Sequence, residues 1–303
     1  MRTTLLVAGA CVAALSAGAA QAEPISVLGY EVDLRGSLRE GGFSRYTPTI
    51  NNPLFNETPL ITTEAKPFYA YHDVPDDFIS QGGNIQVAAL QLRLAFSERF
   101  GFIATTDGFT SADFNAVLTD DSGPNDVAFG VKYAAYYAPE RGEIATVGLR
   151  YTAPAGNVET GTGNGGLDIP LNGVGAGFLN PFVTALKIYD DGPLTGLQLQ
   201  GSAGAQIGIS DDSYSFFHGS ATASYEALPG FYPTLESHVF APFDGADRGA
   251  PFDGALSNLT GAEFLDVGGS DPQTIVLLGG GFRWRPLQSE NAIFGFGAVA
   301  NVA

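Results

Sequence analysis

The residues that come closest to a catalytic arrangement are His218, Ser220 and Glu226. His218 and Ser220 are two residues apart, so on a β-strand their side chains share one face, and Glu226 lies further along that face. A serine beside a histidine base that a carboxylate orients is the arrangement used in nucleophilic catalysis. A single His next to a Ser is more often part of a polar lining, and we therefore expect no catalytic residue and no enzyme activity.

Metal and cofactor sites are not expected either. His72 and His238 have no convincing partner in the sequence, and Cys11 is the single cysteine. A zinc or iron–sulfur site needs several grouped ligands, which this sequence does not provide. The glycine-rich run at 161–166 lacks the lysine of a phosphate-binding loop. The sequence predicts no metal and no cofactor.

Charged side chains also recur within runs that alternate between apolar and polar residues. A charge that faces lipid is costly, so we predict that these side chains face an interior. Arg93, Lys132 and Arg150 would then form a basic stripe that attracts anions. Two interpretations stay open, namely a lining that guides solutes and a buried ion-pair network. The candidate lumen-lining residues are Arg35, Arg93, Lys132, Arg150, Lys187, Arg283, Glu226 and Glu236.

The elements that carry these residues are long β-strands. Period-two alternation over about ten residues is typical of strands that span a membrane, whereas strands of soluble sandwiches are usually shorter. Short turns are predicted at one end and mostly long loops at the other, with aromatic residues beside the turns, as in outer-membrane barrels. The predicted strands lie near 28–36, 84–96, 100–108, 126–137, 143–153, 178–189, 194–209, 214–227, 231–241, 272–284 and 291–301.

Composition excludes several other classes of protein. The chain has 303 residues, 40 of them glycine and 18 proline, which disfavours a helical protein. A net charge of −18 excludes a nucleic-acid-binding protein, because nothing could neutralise a run of phosphates. With 45% hydrophobic and only 15% charged residues, the chain is not disordered.

The N-terminus has the features of an export signal. Arg2 precedes a short apolar run, and Ala20-Gln21-Ala22 has the form of a cleavage site. We predict a signal peptide at 1–22 and an outer-membrane β-barrel at 23–303. About eleven strands are found where an even number is normal, so we expect twelve strands in the complete barrel, with the C-terminal strand missing after Ala303. In this scheme the segment 37–83 lies mainly outside the barrel, with no role assigned to it.

Several stretches resemble the outer-membrane barrels catalogued under the MetA pathway of phenol degradation. They are Asn52 to Glu64, Leu92-Arg93-Leu94 with Arg99 to Phe102, Val127 to Tyr133, and Gly148 to Tyr151 with Pro154-Ala155-Gly156. The resemblance implies an antiparallel transmembrane β-barrel that passes or binds small, aromatic or hydrophobic molecules, and it brings no catalytic motif.

Two alternatives stay open beside this channel function. One is a lipid-modifying enzyme, because His218-Gly219-Ser220 resembles the H-x-S of outer-membrane lipid A deacylases. The other is a closed structural barrel. The expected partners are outer-membrane lipid, lipopolysaccharide and a small solute, with no nucleic acid. Acidic loops at 113–126 and 244–271 could hold divalent cations, although no spacing matches a calcium loop.

Overall fold

The computed structural model describes residues 10–15, 25–27, 30–38, 42–51, 54–74, 76, 80–162, 168–247, 273–286 and 292–302. The proposed cleavage site at Ala22 and the chain end at Ala303 lie outside these residues, as does most of the acidic stretch 244–271. The described chain contains strands and three-residue 3-10 turns and no α-helix.

The strands are longest in the middle and C-terminal parts of the chain. Their bounds are β1 Ala10–Leu15, β2 Ile25–Val27, β3 Tyr30–Val32, β4 Glu64–Val74, β5 Gly83–Ala95, β6 Phe100–Phe114, β7 Asp121–Pro124, β8 Val127–Ala138, β9 Glu143–Ala153, β10 Glu159–Gly161, β11 Asp168–Pro170, β12 Phe178–Ile188, β13 Leu197–Gly208, β14 Ser215–Tyr225, β15 Phe231–Asp244, β16 Ile275–Trp284 and β17 Ala292–Asn301.

The strand pairings of the main sheet form a ring. The sheet has 13 strands in the order β5-β4-β1-β17-β16-β15-β14-β13-β12-β9-β8-β6-β7, and β5 also pairs with β6. All of these strands except β7 therefore have a neighbour on each side, and every pairing is antiparallel. β2 with β3 and β10 with β11 form two small separate sheets.

One position in the ring is unexpected. β1 lies between β17 and β4, with Leu15 opposite Ala292 on one side and Ala65 on the other. β1 is antiparallel to both neighbours, so β17 and β4 run in the same direction. The residues of β1 belong to the segment that the sequence predicts to be an export signal.

The two faces of the ring differ in polarity, as the alternation predicts. Leu90, Leu92 and Leu94 of β5 are exposed, and the residues between them, Gln91 and Arg93, are buried. The same outward placement of apolar side chains recurs in β8, β9 and β13, at Val127, Phe129, Val131, Val147, Leu149, Leu199 and Ile207. Large apolar side chains therefore cover the outside, and polar side chains point inward.

The interior is occupied by the inner segment, which we define as residues 42–51 and 54–62. Its residues are bonded to inward-facing side chains of several strands. Gln198 Oε1 accepts from Thr47 N at 3.1 Å, Ser202 Oγ donates to Phe55 O at 3.1 Å, and Thr146 Oγ1 donates to Pro59 O at 2.6 Å. These bonds tether the segment to β13 and β9.

Two strand predictions in the N-terminal part are wrong. The segment 37–83 does not lie mainly outside, because it contains both the inner segment and strand β4. Pro67, Lys66 and Asp73 interrupt the apolar alternation of β4, so its pattern resembles a loop. The strand predicted at 28–36 is the short β3 followed by a 3-10 turn at Gly36–Leu38, where Gly36 has a positive φ of 56°.

The remaining predicted strands correspond to β5, β6, β8, β9 and β12 to β17 within a few residues. Short connections join them at one end, including the 3-10 turns Pro139–Arg141 and Gly192–Leu194. Longer connections, which contain β7, β10 and β11, lie at the opposite end. We call these the short-turn end and the long-loop end.

Candidate functional site

Glu57 of the inner segment is the centre of a buried ion-pair cluster. Its side chain is bonded to Arg93 on β5 through two parallel hydrogen bonds, Nε to Oε1 at 2.7 Å and Nη2 to Oε2 at 2.8 Å. Lys132 Nζ on β8 donates to the same Oε1 at 2.9 Å and to Thr58 O at 3.0 Å. Arg93 Nη1 also donates to Glu64 Oε1 at 2.6 Å. Two wall cations thus hold one carboxylate of the inner segment.

The charge state of Glu57 follows from this geometry. Burial on its own would raise the pKa of Glu57, since only 2% of the residue is exposed. The attraction and hydrogen bonds of Arg93 and Lys132 outweigh burial and hold its pKa far below the ordinary value. Glu57 is therefore ionised throughout the physiological pH range, and its contact with both cations is permanent in this conformation.

Arg150 on β9 contacts the inner segment through backbone and ring atoms. Its Nη1 donates to Leu54 O, its Nη2 donates to Asn180 Oδ1 at 2.9 Å, and its guanidinium carbon lies 5.5 Å from the centre of the Phe55 ring. Asn180 Nδ2 lies 2.8 Å from His218 Nε2. Arg150 therefore belongs to a second polar group of the interior, separate from the Glu57 cluster.

Phe55 is the centre of an aromatic cluster in the interior. Its ring centre lies 5.4 Å from that of Phe216, 5.7 Å from that of Phe240 and 4.9 Å from that of His218. Phe216 is the second residue of β14 and lies near the long-loop end, where Tyr214 also packs against it. The interior therefore has an apolar, aromatic part toward the long-loop end.

A third contact region holds residues 48–51 of the inner segment. Glu236 on β15 accepts hydrogen bonds from Ile50 N and Asn51 N, both at 2.7 Å, and from Asn51 Nδ2 at 2.6 Å. Arg283 on β16 donates to Pro48 O at 2.9 Å and to Thr49 O. Most of the hydrogen bonds in this region therefore involve backbone atoms of the inner segment.

The neighbouring strand β17 approaches the same stretch without a side chain in between. A Cβ added at Gly297 would lie 2.7 Å from Ile50 Cγ2. A larger residue at this position would displace the inner segment, so Gly297 permits the close approach.

Three of the predicted lumen-lining residues lie elsewhere. Arg35 pairs with Asp33 at 3.0 Å, in the turn that precedes the inner segment. Glu226 lies at the short-turn end, where it accepts from Tyr232 Oη at 3.2 Å. Lys187 differs from the expectation, because it lies on the outer face of β12 and pairs with Glu143 at 3.0 Å. Its position near the end of the strand lets the ammonium leave the apolar surface.

The arrangement of His218, Ser220 and Glu226 that the sequence leaves as an alternative is not assembled. Ser220 Oγ lies 2.9 Å from His238 Nδ1 on the neighbouring strand, and His218 is bonded to Asn180 instead. His238, which had no convincing partner in the sequence, also has Glu236 Oε2 at 3.9 Å from its Nε2. At this distance the carboxylate does not orient the imidazole through a hydrogen bond.

Sequence reasoning missed Glu57 and Lys66. Glu57 lies in the stretch Asn52 to Glu64 that carried the family resemblance, but the resemblance gave it no role. Both lie in the segment that was predicted to be outside, so no strand alternation assigned them a face. The absence of apolar periodicity in 42–62, so close to strongly alternating strands, is the signal that could have indicated an interior segment.

Comparisons with known proteins find similarity among solved structures and none in sequence. No family model and no curated protein matches the chain. An outer membrane channel from Pseudomonas putida F1, known from its crystal structure, is similar over 99% of this chain and 97% of its own, with 11% identity and a TM-score of 0.43. Among the described residues, no helix has the length and apolar character to cross a membrane, and no three acidic, His or Cys side chains are grouped to hold a metal.

Proposed function

We propose that this chain is an outer-membrane β-barrel channel that admits small molecules, aromatic and hydrophobic ones among them, and that the inner segment controls passage. The observation that carries the proposal is the reversed polarity of the ring. Leu149 is 48% exposed on the outer face of β9, and its neighbour Arg150 is buried inside. Soluble proteins rarely expose such a continuous apolar surface, whereas lipid requires one.

Strand length and closure support the same proposal. β5, β6 and β8 have 13, 15 and 12 residues, enough for a tilted strand to cross a bilayer. The ring of pairings gives each of its strands a neighbour on both sides, and a sheet in lipid needs such pairing because unpaired backbone groups are costly there. Exposed aromatic residues lie near the short-turn end, at Phe100, Tyr136, Tyr225, Trp284 and Phe294, as expected for a membrane interface.

A pair of lysine substitutions tests the membrane assignment. Leu149→Lys places a charge in the middle of the outer face and should destabilise the folded protein by about 2–4 kcal/mol in lipid vesicles. Leu228→Lys is the matched control, because Leu228 is 65% exposed but lies in a short turn. Equal tolerance of both substitutions, with recovery of the chain from the soluble periplasmic fraction, would overturn the proposal.

The route for solutes runs through the interior, where the inner segment must move aside. The aromatic cluster around Phe55 offers ring faces to a solute that enters from the long-loop end. In planar bilayers we expect the wild-type chain to conduct rarely and Glu57→Gln, which loosens the inner segment, to open more often.

A closed structural barrel is the second candidate, because the inner segment fills much of the interior. It predicts no conductance from either the wild-type chain or Glu57→Gln when both are correctly inserted. Lipid-modifying catalysis has less support, since Glu226 is far from the Ser220–His238 contact. Ser220→Ala should leave the acylation of lipid A unchanged, and loss of a deacylated species would contradict the channel proposal.

A further inference from the structure

Two buried cations lie apart from the Glu57 cluster. Lys66 on β4 and Arg283 on β16 are 3% and 0% exposed. Both donate to the same atom of the inner segment, Thr49 O, which lies 3.4 Å from Lys66 Nζ and is also bonded to Arg283 Nη2. Arg283 Nε donates in addition to Pro48 O at 2.9 Å. Among the described residues, neither cation has a carboxylate oxygen within 4.0 Å.

The positive charges of Lys66 and Arg283 lack a compensating negative charge in contact with them. A buried cation is costly unless an anion compensates it, and a carbonyl oxygen carries only a partial negative charge. Lys66 and Arg283 also repel each other, which increases the cost of keeping both charged. Arg283 Nη1 is buried and has no hydrogen-bond partner among the described residues. Arg93 and Lys132 differ from this pair, because both contact the carboxylate of Glu57.

Lys66 is influenced at longer range by Glu64 and Glu57, and Arg283 most strongly by Glu236, whose carboxylate is already engaged. Glu236 accepts three hydrogen bonds from Ile50 and Asn51, the two residues that follow Thr49. The backbone at 48–51 therefore lies between the two cations and this carboxylate, with the carbonyl oxygens of Pro48 and Thr49 toward the cations and the N–H groups of Ile50 and Asn51 toward Glu236. A neutral stretch of backbone occupies the position where an anionic oxygen would be most favourable.

We propose that Lys66 and Arg283 form an anion-binding site of the channel interior, which takes the carboxylate of a solute. In this conformation the carbonyl oxygen of Thr49 occupies the position that one carboxylate oxygen of the solute would take. A guanidinium with a free N–H suits the planar, two-oxygen geometry of a carboxylate, and Lys66 adds a point charge beside it. The site rests on the proposed channel function, and it extends that function to small aromatic or aliphatic carboxylates.

Binding and displacement of the inner segment are then linked. A carboxylate at Lys66 and Arg283 replaces the bonds to Thr49 O and removes part of what holds residues 48–49 in the interior. The solute thereby favours the conformation through which it passes. If Glu236 instead pairs with Arg283 once the segment moves, no solute anion is needed and binding will not depend on the two cations.

Equilibrium binding with the full chain in detergent tests the site. Benzoate is the probe, and benzyl alcohol, which has the ring but no carboxylate, is its comparison. We expect benzoate to bind at least about tenfold more tightly than benzyl alcohol, and Lys66→Met to weaken benzoate about tenfold without changing benzyl alcohol. Lys187→Met is the matched control, since it removes a cation from the outer face, and it should leave benzoate binding unchanged.

A conservative variant covers the case in which Lys66→Met fails to fold. Arg283→Lys keeps the charge but loses the planar pair of donors, and we expect it to fold and to bind benzoate several-fold more weakly. Equal binding of benzoate and benzyl alcohol by the wild-type chain, or unchanged benzoate binding in both variants, would overturn the anion site.

Flux into proteoliposomes separates failure of the site from failure of the channel. If benzyl alcohol and small ions cross in a protein-dependent manner while benzoate has no advantage, the channel proposal stands and the anion site is wrong. If nothing crosses, the channel proposal itself is wrong, whatever binds in detergent.

Discussion

Two of the places at which the inner segment is held differ in charge. At Glu57 the segment supplies a full negative charge to Arg93 and Lys132. At Thr49 it supplies only carbonyl oxygens to the wall cations, and on its other side N–H groups to Glu236. The first contact is a compensated ion pair, and the second leaves positive charge without an anion. The comparison indicates that the Glu57 contact is the anchor and that the stretch at 48–51 is the part that can be exchanged for a ligand.

The largest expected effect is that of Glu57→Gln. The substitution leaves Lys132 buried without a carboxylate and Arg93 with Glu64 alone. Breaking a buried pair by removal of one partner typically costs about 3–5 kcal/mol. The free energy of unfolding, measured by guanidinium titration in lipid vesicles, should fall by that amount.

Glu140→Gln is the matched control for this measurement. Glu140 lies in an exposed turn and, among the described residues, pairs only with Arg141 at 3.7 Å, so its substitution should change the free energy of unfolding by less than about 1 kcal/mol. Similar losses in the two variants would show that Glu57 is not the anchor.

Glu236→Gln should have a smaller and more local effect. The amide keeps one acceptor oxygen but loses the charge that receives the N–H groups of Ile50 and Asn51, at a cost of about 1–3 kcal/mol. Hydrogen exchange of these two amides should accelerate while the amide of Ile61, which donates to Ser37 Oγ, keeps its rate. Equal acceleration at all three would mean that the segment moves as one unit and that the two contact regions are not separable.

The direction in which the pKa of Glu57 is shifted determines how its contribution to stability depends on pH. The pKa of Glu57 is lower in the folded than in the unfolded chain, so its stabilisation is complete above the unfolded value of about 4.3 and declines as the pH falls below it. The difference in unfolding free energy between wild type and Glu57→Gln should stay constant from pH 7 to about pH 5 and shrink by about 2 kcal/mol at pH 3. A difference that already shrinks between pH 7 and pH 5 would contradict the two-cation anchor.

The smallest expected change in unfolding free energy is that of a substitution at Asp126. This residue resembles Glu236 in its bonding but lies nearer the surface. It is a carboxylate that accepts from backbone N–H groups, of Gly156 at 2.8 Å and Gly173 at 2.9 Å, and burial raises its pKa above the ordinary value. Asp126→Asn retains an acceptor oxygen and should change the unfolding free energy by less than about 1 kcal/mol, whereas Asp126→Ala should loosen residues 155–173. Proteolysis of this loop at neutral pH distinguishes the two variants.

Much of the ring could be predicted from the sequence, because alternation is a local property. In β5 the outward Leu90, Leu92 and Leu94 and the inward Arg93 follow directly from period two. β4 could not be found in this way, since Pro67 and two charged residues mask its pattern. Lys187 was assigned to the wrong face because a charge near a strand end can reach water from the outer side.

The interior contacts depend on distant pairs and could not be predicted in the same way. The basic residues Arg93, Lys132, Arg150 and Arg283 were predicted to point inward and are buried in the structure, and their partners lie in a segment with no periodicity. Glu57 lies 36 residues from Arg93 and 75 from Lys132 in the chain. Only the closure of the ring around the inner segment brings these charges together, so the choice between a solute-guiding lining and an ion-pair network required the structure.

The position of β1 has a consequence for the parity of the ring. Directions alternate around an antiparallel ring, which therefore needs an even number of strands. β17 and β4 point the same way, so the place between them accepts only a strand that descends from the long-loop end to the short-turn end, as β1 does. Cleavage after Ala22, which the sequence predicts, would remove β1 and make the ring odd. Export processing and closure of the ring are then compatible only if another descending strand takes that place.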